Sequence, residues 1–502
     1  MQGAFDVAIV GSGFAGSLLA LVARRLGLSV VLLEKGSHPR FAIGESTSPL
    51  ANLLLEELAR RYDFPRLLPF AKWGSWRRAY PHVSCGLKRG FSFFHHAEGR
   101  PFANAPDRQD QLLVGASPND EVADTHWYRP EFDHFLQKEA EEAGTRYLDR
   151  TALSGVTREK DRWLLTGERA GAVFTFKASF LVDASGRSGA LHEALGVRRV
   201  AVPFLPSTRA LFTHFEGVRR LDEMGIPGDL GIPPYPIDDA AVHHVFPGGW
   251  IWILRFGNGL TSAGVAASEA LAEKAGFARG EAGWKRLLER FPTIRAQFEA
   301  ARPTVPFVHV PRLSFRVDRA AGLGWALLPS AAAFVDPLLS TGFPLALLGI
   351  HRLAEVLEKD FGTARLDAGL AAYGALTLEE ADRSARLVAA LYSAFGDFPL
   401  FVELSKLYFA AAHFSESARR AGRPDLAGTF LCGSHAEFGP AFDACCRAAL
   451  APREASSRER LLADVARAVA LVDLAGLLDP SRRNWFEATP LSVSCAAFSA
   501  PA

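Results

Sequence analysis

The sequence predicts an α/β (α+β) fold, in which a unit opening on an N-terminal βαβ element is interleaved with a mixed β-sheet region and followed by a helical C-terminal region. Three observations carry this: a strand, glycine turn, helix and strand at the N-terminus, short alternating segments through the middle, and helical periodicity from residue 366 onward. At 502 residues the chain exceeds one ordinary core, so two or three domains are expected. Their expected bounds are 1–200 with 316–360, then 201–315, then 361–502, with residues 73–119 inserted near the active site.

Residues 5–10 read as a buried strand, 14–26 as a helix with small residues on one face, and 29–33 as a second buried strand. Residues 73–119 are rich in aromatics, Pro, Gly and basic residues without long periodicity, as a segment covering a site would be. Residues 130–143 form a helix with Pro130 in its first turn, Phe132, Leu136 and Ala143 on one face, and Gly144 as the stop. Strands are expected at 162–165, 173–176 and 179–182, the last closing on Asp183-Ala184-Ser185-Gly186. Gly257-Asn258-Gly259 turns one strand into another at 260–266. Helices are expected at 378–395 and 458–478.

Composition excludes several classes. A formal charge of +1, from 56 basic and 55 acidic residues, gives no footprint for nucleic acid or an anionic membrane. Five cysteines form no CxxC pair and no Cys/His ligand spacing, so neither a disulfide scaffold nor a bound metal is expected. No signal peptide or membrane span is read, and cytoplasmic residence is the expectation. A small-molecule partner is favoured.

The first chemical signal is Gly11-Ser12-Gly13-Phe14-Ala15-Gly16, a GxGxxG turn that leaves a strand and opens a helix. Gly11 permits the turn, Gly13 lets a pyrophosphate approach the backbone, and Gly16 allows close helix–strand packing. Phosphates would lie on the helix N-terminus. Glu34, ending the next strand, is placed to accept hydrogen bonds from a ribose diol. NAD and FAD share this fingerprint. Asp183-Ala184-Ser185-Gly186, Arg129 and the segment Ala331 to Gly342 resemble the other cofactor-contacting segments of the para-hydroxybenzoate-hydroxylase-like FAD superfamily, with Pro329-Ser330 where many members have Gly-Asp. The resemblance implies a Rossmann-type FAD-binding domain.

Gly44-Glu45-Ser46-Thr47-Ser48-Pro49 further resembles the GExxxP strap of the flavin-dependent halogenases, particularly the branch acting on phenolic and pyrrolic substrates. Cys85 to Phe93 is similar to the segment bearing that family's catalytic lysine, here Lys88, and Phe334 to Gly342 to its flavin and halide loop. The resemblance spans residues 4–360 and extends loosely into 394–398. It implies FAD contacts from Gly11, Ser12, Gly13, Phe14, Ala15, Gly16, Glu34, Arg40, Gly44, Glu45, Ser46, Arg129, Asp336 and Gly342, and halide donors at Thr341 and Gly342. The implied chemistry uses FADH2 from a separate flavin reductase, O2 and chloride or bromide. A flavin C4a-hydroperoxide yields hypohalous acid, captured at Lys88 before it meets the ring, which is free or tethered to a carrier protein. Tryptophan halogenases carry a glutamate after the Asp-Pro pair; Leu338 and Leu339 stand there in this chain, which points to a phenol or pyrrole. The alternative is an FAD-dependent aromatic monooxygenase on the same fold; a flavin-binding helper is a further alternative.

Trp250 and Trp252 match the family's WxWxIP signature, whose final Ile-Pro is replaced by Leu254-Arg255. On a regular strand Trp250, Trp252, Leu254 and Phe256 share one face, a barrier between flavin and acceptor, and Arg255 lies on the other. A bulge would reverse Arg255 toward the flavin. Adjacent histidines, His95-His96 and His243-His244, point to opposite faces of their strands and cannot chelate together.

Overall fold

Val7 to Val10 and the Val30–Leu33 strand are apolar at every position, the composition of strands covered on both faces. In the computed structural model, which describes residues 2–228, 231–451, 455–490, 495, 497 and 498, they lie at the centre of one sheet. Its parallel strands run in the order Trp325–Leu327, Ala172–Asp183, Gln2–Val10, Val30–Leu33, Arg146–Leu148. The Phe14–Arg25 helix makes the crossover from Gln2–Val10 to Val30–Leu33, with ten consecutive buried residues from Phe14 to Ala23. The segments expected at 173–176 and 179–182 are a single strand, Ala172–Asp183. Exposed Lys177 interrupts an otherwise buried run because it is one outward position of a pleat and not a turn.

The second sheet has the order Arg302–Pro303, Thr208–Glu216, Thr261–Ser268, Gly249–Arg255, Ala241–Phe246, Gly90–His95, Gln111–Gly115, Trp485–Phe486. Two of its strands come from the 73–119 segment and one from the C-terminal region. Most of its pairs are antiparallel, but Ala241–Phe246 runs parallel to Gly90–His95. One face, with Ile251 and Ile253, packs on Phe246, Trp284 and Phe291. The other, with Trp250, Trp252 and Leu254, belongs to the main core shared with the Phe14–Arg25 and Phe398–Arg420 helices. The tryptophan face of the second sheet and the Phe14–Arg25 helix of the first unit thus share one core.

The C-terminal region holds the helices Leu366–Ser393, Phe398–Arg420, Phe438–Leu450 and Ala455–Ala470. The helix expected to reach residue 478 ends at Ala470. Beyond it the Asp473 carboxylate accepts hydrogen bonds from the backbone N–H groups of Ala475, Leu477 and Leu478, a local arrangement that competes with helix. In the Arg129–Glu142 helix, Ala140 and not Ala143 completes the buried face of Phe132 and Leu136. Among the described residues no helix is long and apolar enough to cross a membrane.

Candidate active site

The glycine turn is built for close approach. Gly11 has φ +107°, and a Cβ on Gly16 would sit 2.0 Å from the Gly11 carbonyl oxygen. Gly13 differs: a Cβ there would meet nothing nearer than Arg129 Nη2 at 3.7 Å, so its face is open. The helix that follows has no side-chain cap among the described residues, which leaves its first-turn N–H groups for a ligand. Glu34 accepts from Ser12 N and Oγ, each at 3.0 Å, and from Gly36 N at 2.9 Å. Burial pushes its carboxyl up, yet the Ser12 hydrogen bond and the Arg40 guanidinium outweigh this and hold it below the usual range. Arg40 Nη2 lies 3.4 Å from Glu34.

Arg129 joins this cradle to the Gly44-Glu45-Ser46 strap. Its Nη1 donates to the Gly44 carbonyl at 2.9 Å, its Nε and Nη2 pair with Asp133, and its guanidinium stands 5.0 Å from the Phe14 ring. Gly44, Glu45, Ser46 and Arg129 line a cavity of about 180 Å³ together with Trp250, Trp252, Asp336, Thr341 and Gly342. Residues from the strap, the Arg129–Glu142 helix, the second sheet and the 334–342 loop thus meet at one place. Gly11, Ser12, Gly13, Ala15, Gly16, Glu34 and Arg40 lie outside that cavity, on the neighbouring cradle.

Two features show that these residues fit FAD. Glu45 is buried, with Oε1 2.8 Å from His214 Nε2, while Oε2 has no hydrogen-bond partner among the described residues. A Cβ on Gly342 would meet nothing within 4 Å. An elongated group running from the cradle to this cavity would find the uncapped N–H groups of the Phe14–Arg25 helix at one end and a polar, apolar-walled slot at the other.

Asp336 follows a different logic. Its Oδ1 accepts from Leu338 N at 3.0 Å and its Oδ2 from the Tyr392 hydroxyl at 2.8 Å, and Trp250 Nε1 in turn donates to that hydroxyl at 3.1 Å. Burial pushes the Asp336 carboxyl up to about 7 against these bonds. Leu338 and Leu339 are fully buried in the core and do not line the cavity. Thr341 and Gly342 open the 19-residue helix Gly342–Asp360, whose N-terminus faces the cavity.

Lys88 ends the Cys85–Lys88 strand, which pairs antiparallel with Asp124–Trp127 and sets Lys88 opposite Asp124. Gly86 makes this possible, since a Cβ there would stand 1.9 Å from the Arg255 carbonyl oxygen. The Lys88 side chain is fully buried. Its Nζ donates to Ser46 Oγ at 2.9 Å and to the Thr47 carbonyl, and sits 3.7 Å from the Phe91 ring centre. Burial pulls the amine well below the ordinary lysine range, against the opposing pull of Asp124, while burial raises the Asp124 carboxyl. Because Ser46 also lines the 180 Å³ cavity, the amine is one hydrogen bond from it.

Strand register from Gly249 to Arg255 is unbroken, so the regular alternation holds. Trp250, Trp252 and Leu254 face the cavity, and Arg255 turns away to Asp238, with Nη2 2.8 Å from its carboxylate, and to the Val218 and Arg219 carbonyls. His243 lines the cavity and stacks on Phe93 with ring centres 4.3 Å apart. His244, on the opposite face, bonds His96 at 2.8 Å and Gln297 at 2.9 Å. Sequence reasoning missed Asp124, His214 and Tyr392. The alternation of Asp124-Thr125-His126-Trp127 was a legible strand signal; nothing local marked Tyr392, which arrives on a helix 56 residues from Asp336.

These features describe a flavin-binding enzyme, and comparison with known proteins agrees. Residues 6–332 match the family described as FAD dependent oxidoreductase, and the chain belongs to that family. Its relatives are flavin-dependent halogenases. Monodechloroaminopyrrolnitrin halogenase of Pseudomonas fluorescens is 29% identical, over 80% of this chain and 70% of its own length. Tetracycline 7-halogenase of Kitasatospora aureofaciens is 28% identical, over 81% and 73%. Among solved structures, halogenase PltM in complex with phloroglucinol and FAD superposes with a TM-score of 0.85 at 25% identity, covering 95% of this chain and 99% of that one. The expected kinship with the flavin-dependent halogenases, and the expected FAD, are thereby borne out.

Proposed function

We propose that this chain halogenates an electron-rich aromatic ring, phenolic or pyrrolic, with Lys88 delivering the halogen. The observation that carries this is the buried Lys88 amine, joined through Ser46 to the cavity shared by the strap, the tryptophan strand and the 334–342 loop. When bound in reduced form, FAD supplies hypohalous acid from O2 and halide. Ser46 and Thr47 hold the Lys88 Nζ, so the amine meets oxidant arriving from the cavity. An amine lowered by burial exists partly as the free base near neutral pH. It then either hydrogen-bonds hypohalous acid or takes the halogen onto nitrogen.

Thr341 and Gly342 present the N–H groups of a helix N-terminus for halide. Trp250 and Trp252 form an aromatic wall that keeps a ring-sized acceptor off the flavin and leaves passage to a small oxidant, which favours halogenation over direct hydroxylation. Glu34, Arg40 and Arg129 serve the cofactor. A separate flavin reductase is the expected partner. Relatives named for pyrrole-2-carbonyl groups on a peptidyl carrier protein support an acceptor that is tethered in some cases. The test is incubation with a flavin reductase, NADH, bromide and a panel of phenols and pyrroles, read by mass spectrometry. Brominated product supports the reading; a hydroxylated product in halide-free buffer, with none brominated in bromide, would sink it.

A further inference from the structure

Ser46, His126, Asp124 and Lys88 share one face of a short ribbon. His126 has Gly86 directly opposite on one side and Ser46 on the other, and Lys88 lies opposite Asp124. Directly opposed residues point the same way, as do residues two apart on a strand, so His126 is a neighbour of Ser46 and the diagonal neighbour of Lys88. Gly86 gives the ring its room, since a Cβ there would lie 3.0 Å from His126 Cδ2. The imidazole is fully buried.

Its tautomer follows from its partners. His126 Nε2 faces the Ala240 carbonyl at 3.3 Å. A carbonyl only accepts, so the proton of the neutral ring is on Nε2 and the lone pair is on Nδ1. That Nδ1 is buried and has no hydrogen-bond partner among the described residues. Burial first, and then the Lys88 charge, hold this imidazole well below its usual range and keep it neutral. The titratable groups around it are Lys88 and Asp124 on its own face, His243 from the second sheet, and Lys72 and Glu416 beyond Asp124. An unpaired buried acceptor is costly, and here it stands beside the amine that meets the oxidant.

Resting on the halogenation reading, we propose that His126 Nδ1 is the base that takes a proton from Lys88 Nζ when the lysine captures the halogen. As the N–X bond forms at Nζ, the X–O bond of hypohalous acid breaks and its electron pair leaves with hydroxide. The halogen draws electrons from nitrogen, so the resulting haloammonium is a far stronger acid than an ordinary ammonium and gives its proton to the imidazole. His126 then passes that proton to the hydroxide. The products are water, a neutral haloamine on Lys88 and a neutral His126. The halogen moves from oxygen to nitrogen at the same oxidation level, so no further oxidant or reductant is needed.

The test runs FAD-loaded protein with the flavin reductase, NADH and bromide, without an aromatic acceptor, for one turnover. Peptide mass spectrometry reads bromine on Lys88 that added methionine removes; a parallel run with monochlorodimedone reads hypobromous acid that escapes. His126→Gln keeps an N–H for the Ala240 carbonyl and lacks the Nδ1 lone pair. It is expected to lower bromine on Lys88 at least about tenfold and to raise bromination of the trap, a shift from bound to free oxidant that loss of packing alone would not give. Undiminished bromine on Lys88 in this variant overturns the proposal. The wild-type protein supplies a second measurement: imidazole nitrogen NMR is expected to place the His126 proton on Nε2, and a proton on Nδ1 overturns the proposal. Wild-type protein that brominates the trap but never Lys88 overturns the proposal and leaves the halogenation reading standing. Wild-type protein that brominates neither overturns the reading and the proposal with it.

Discussion

Lys88 shows how much a single residue's meaning depends on what surrounds it. As a letter it is an ordinary lysine beside phenylalanines; in the fold it is an amine buried against Asp124, His126 and His243 and hydrogen-bonded to the strap. We expect Lys88→Ala to retain FAD and halide-dependent oxidant production while halogenation of a phenol falls by at least about 10³-fold, within the range of a positioned acid–base group. Product formation by that variant at the wild-type rate would remove the lysine from the mechanism. Gly13 carries a complementary expectation. Its Cβ direction is open, so Gly13→Val should fold with a near-normal melting temperature yet bind FAD about a hundredfold more weakly, a loss of roughly 2.7 kcal/mol. Flavin absorbance of the purified variant checks this, and full flavin content would contradict the cradle.

At the scale of the element, the tryptophan strand is fixed from both ends. An unbroken register keeps Arg255 on the far face, where Asp238 and two carbonyls satisfy it, so replacement of the family's proline leaves the aromatic wall intact. On the near face the Trp250 indole is tied to the helix Leu366–Ser393 through the Tyr392 hydroxyl, which also holds Asp336. Tyr392→Phe strands both a buried N–H and a buried carboxyl oxygen, a cost of about 1–3 kcal/mol. The expected result is a melting temperature lowered by a few degrees, with FAD content unchanged and the KM for bromide altered. A variant indistinguishable from wild type in both stability and bromide dependence would show that the link carries nothing. The alternation of the strand was readable from sequence; the tether was not, because helix and strand meet only through tertiary packing.

Over the whole molecule burial keeps several histidines neutral, His243 and His244 in the second sheet and His351 on the Gly342–Asp360 helix among them. Burial lowers His243 to about 3 and His244 and His351 to about 4, and pushes His96 and His126 well below the usual imidazole range. Each is harder to protonate folded than unfolded, so its stabilising contribution is full above the unfolded value near 6.5 and is lost as pH falls toward 4. Asp336, raised to about 7, and Glu57, Asp124, Glu139 and Asp238, also raised, act in the opposite sense over much of that window, but these five carboxyls oppose nine imidazoles, since burial lowers His38, His134, His309 and His413 as well. The net expectation is a fall in the urea midpoint between pH 6.5 and 4.5, with each imidazole contributing up to about 1.4 kcal/mol per pH unit. A midpoint that holds or rises toward acid would mean these side chains are hydrated and not buried as described.

The sequence by itself determined the N-terminal strand, glycine turn and helix and the identity of the motif residues, because a glycine turn between a strand and a helix is a local arrangement with few physical solutions. Gly11, Gly16, Glu34 and the tryptophan alternation needed no partner from elsewhere in the chain to be read. Only the tertiary structure decided what those residues face. It joined two stretches of the aromatic-rich segment to the second sheet, set Asp124 opposite Lys88, and brought Tyr392 in from a helix remote in sequence. Burial and long-range packing made those decisions, and neither leaves a periodic trace in the chain.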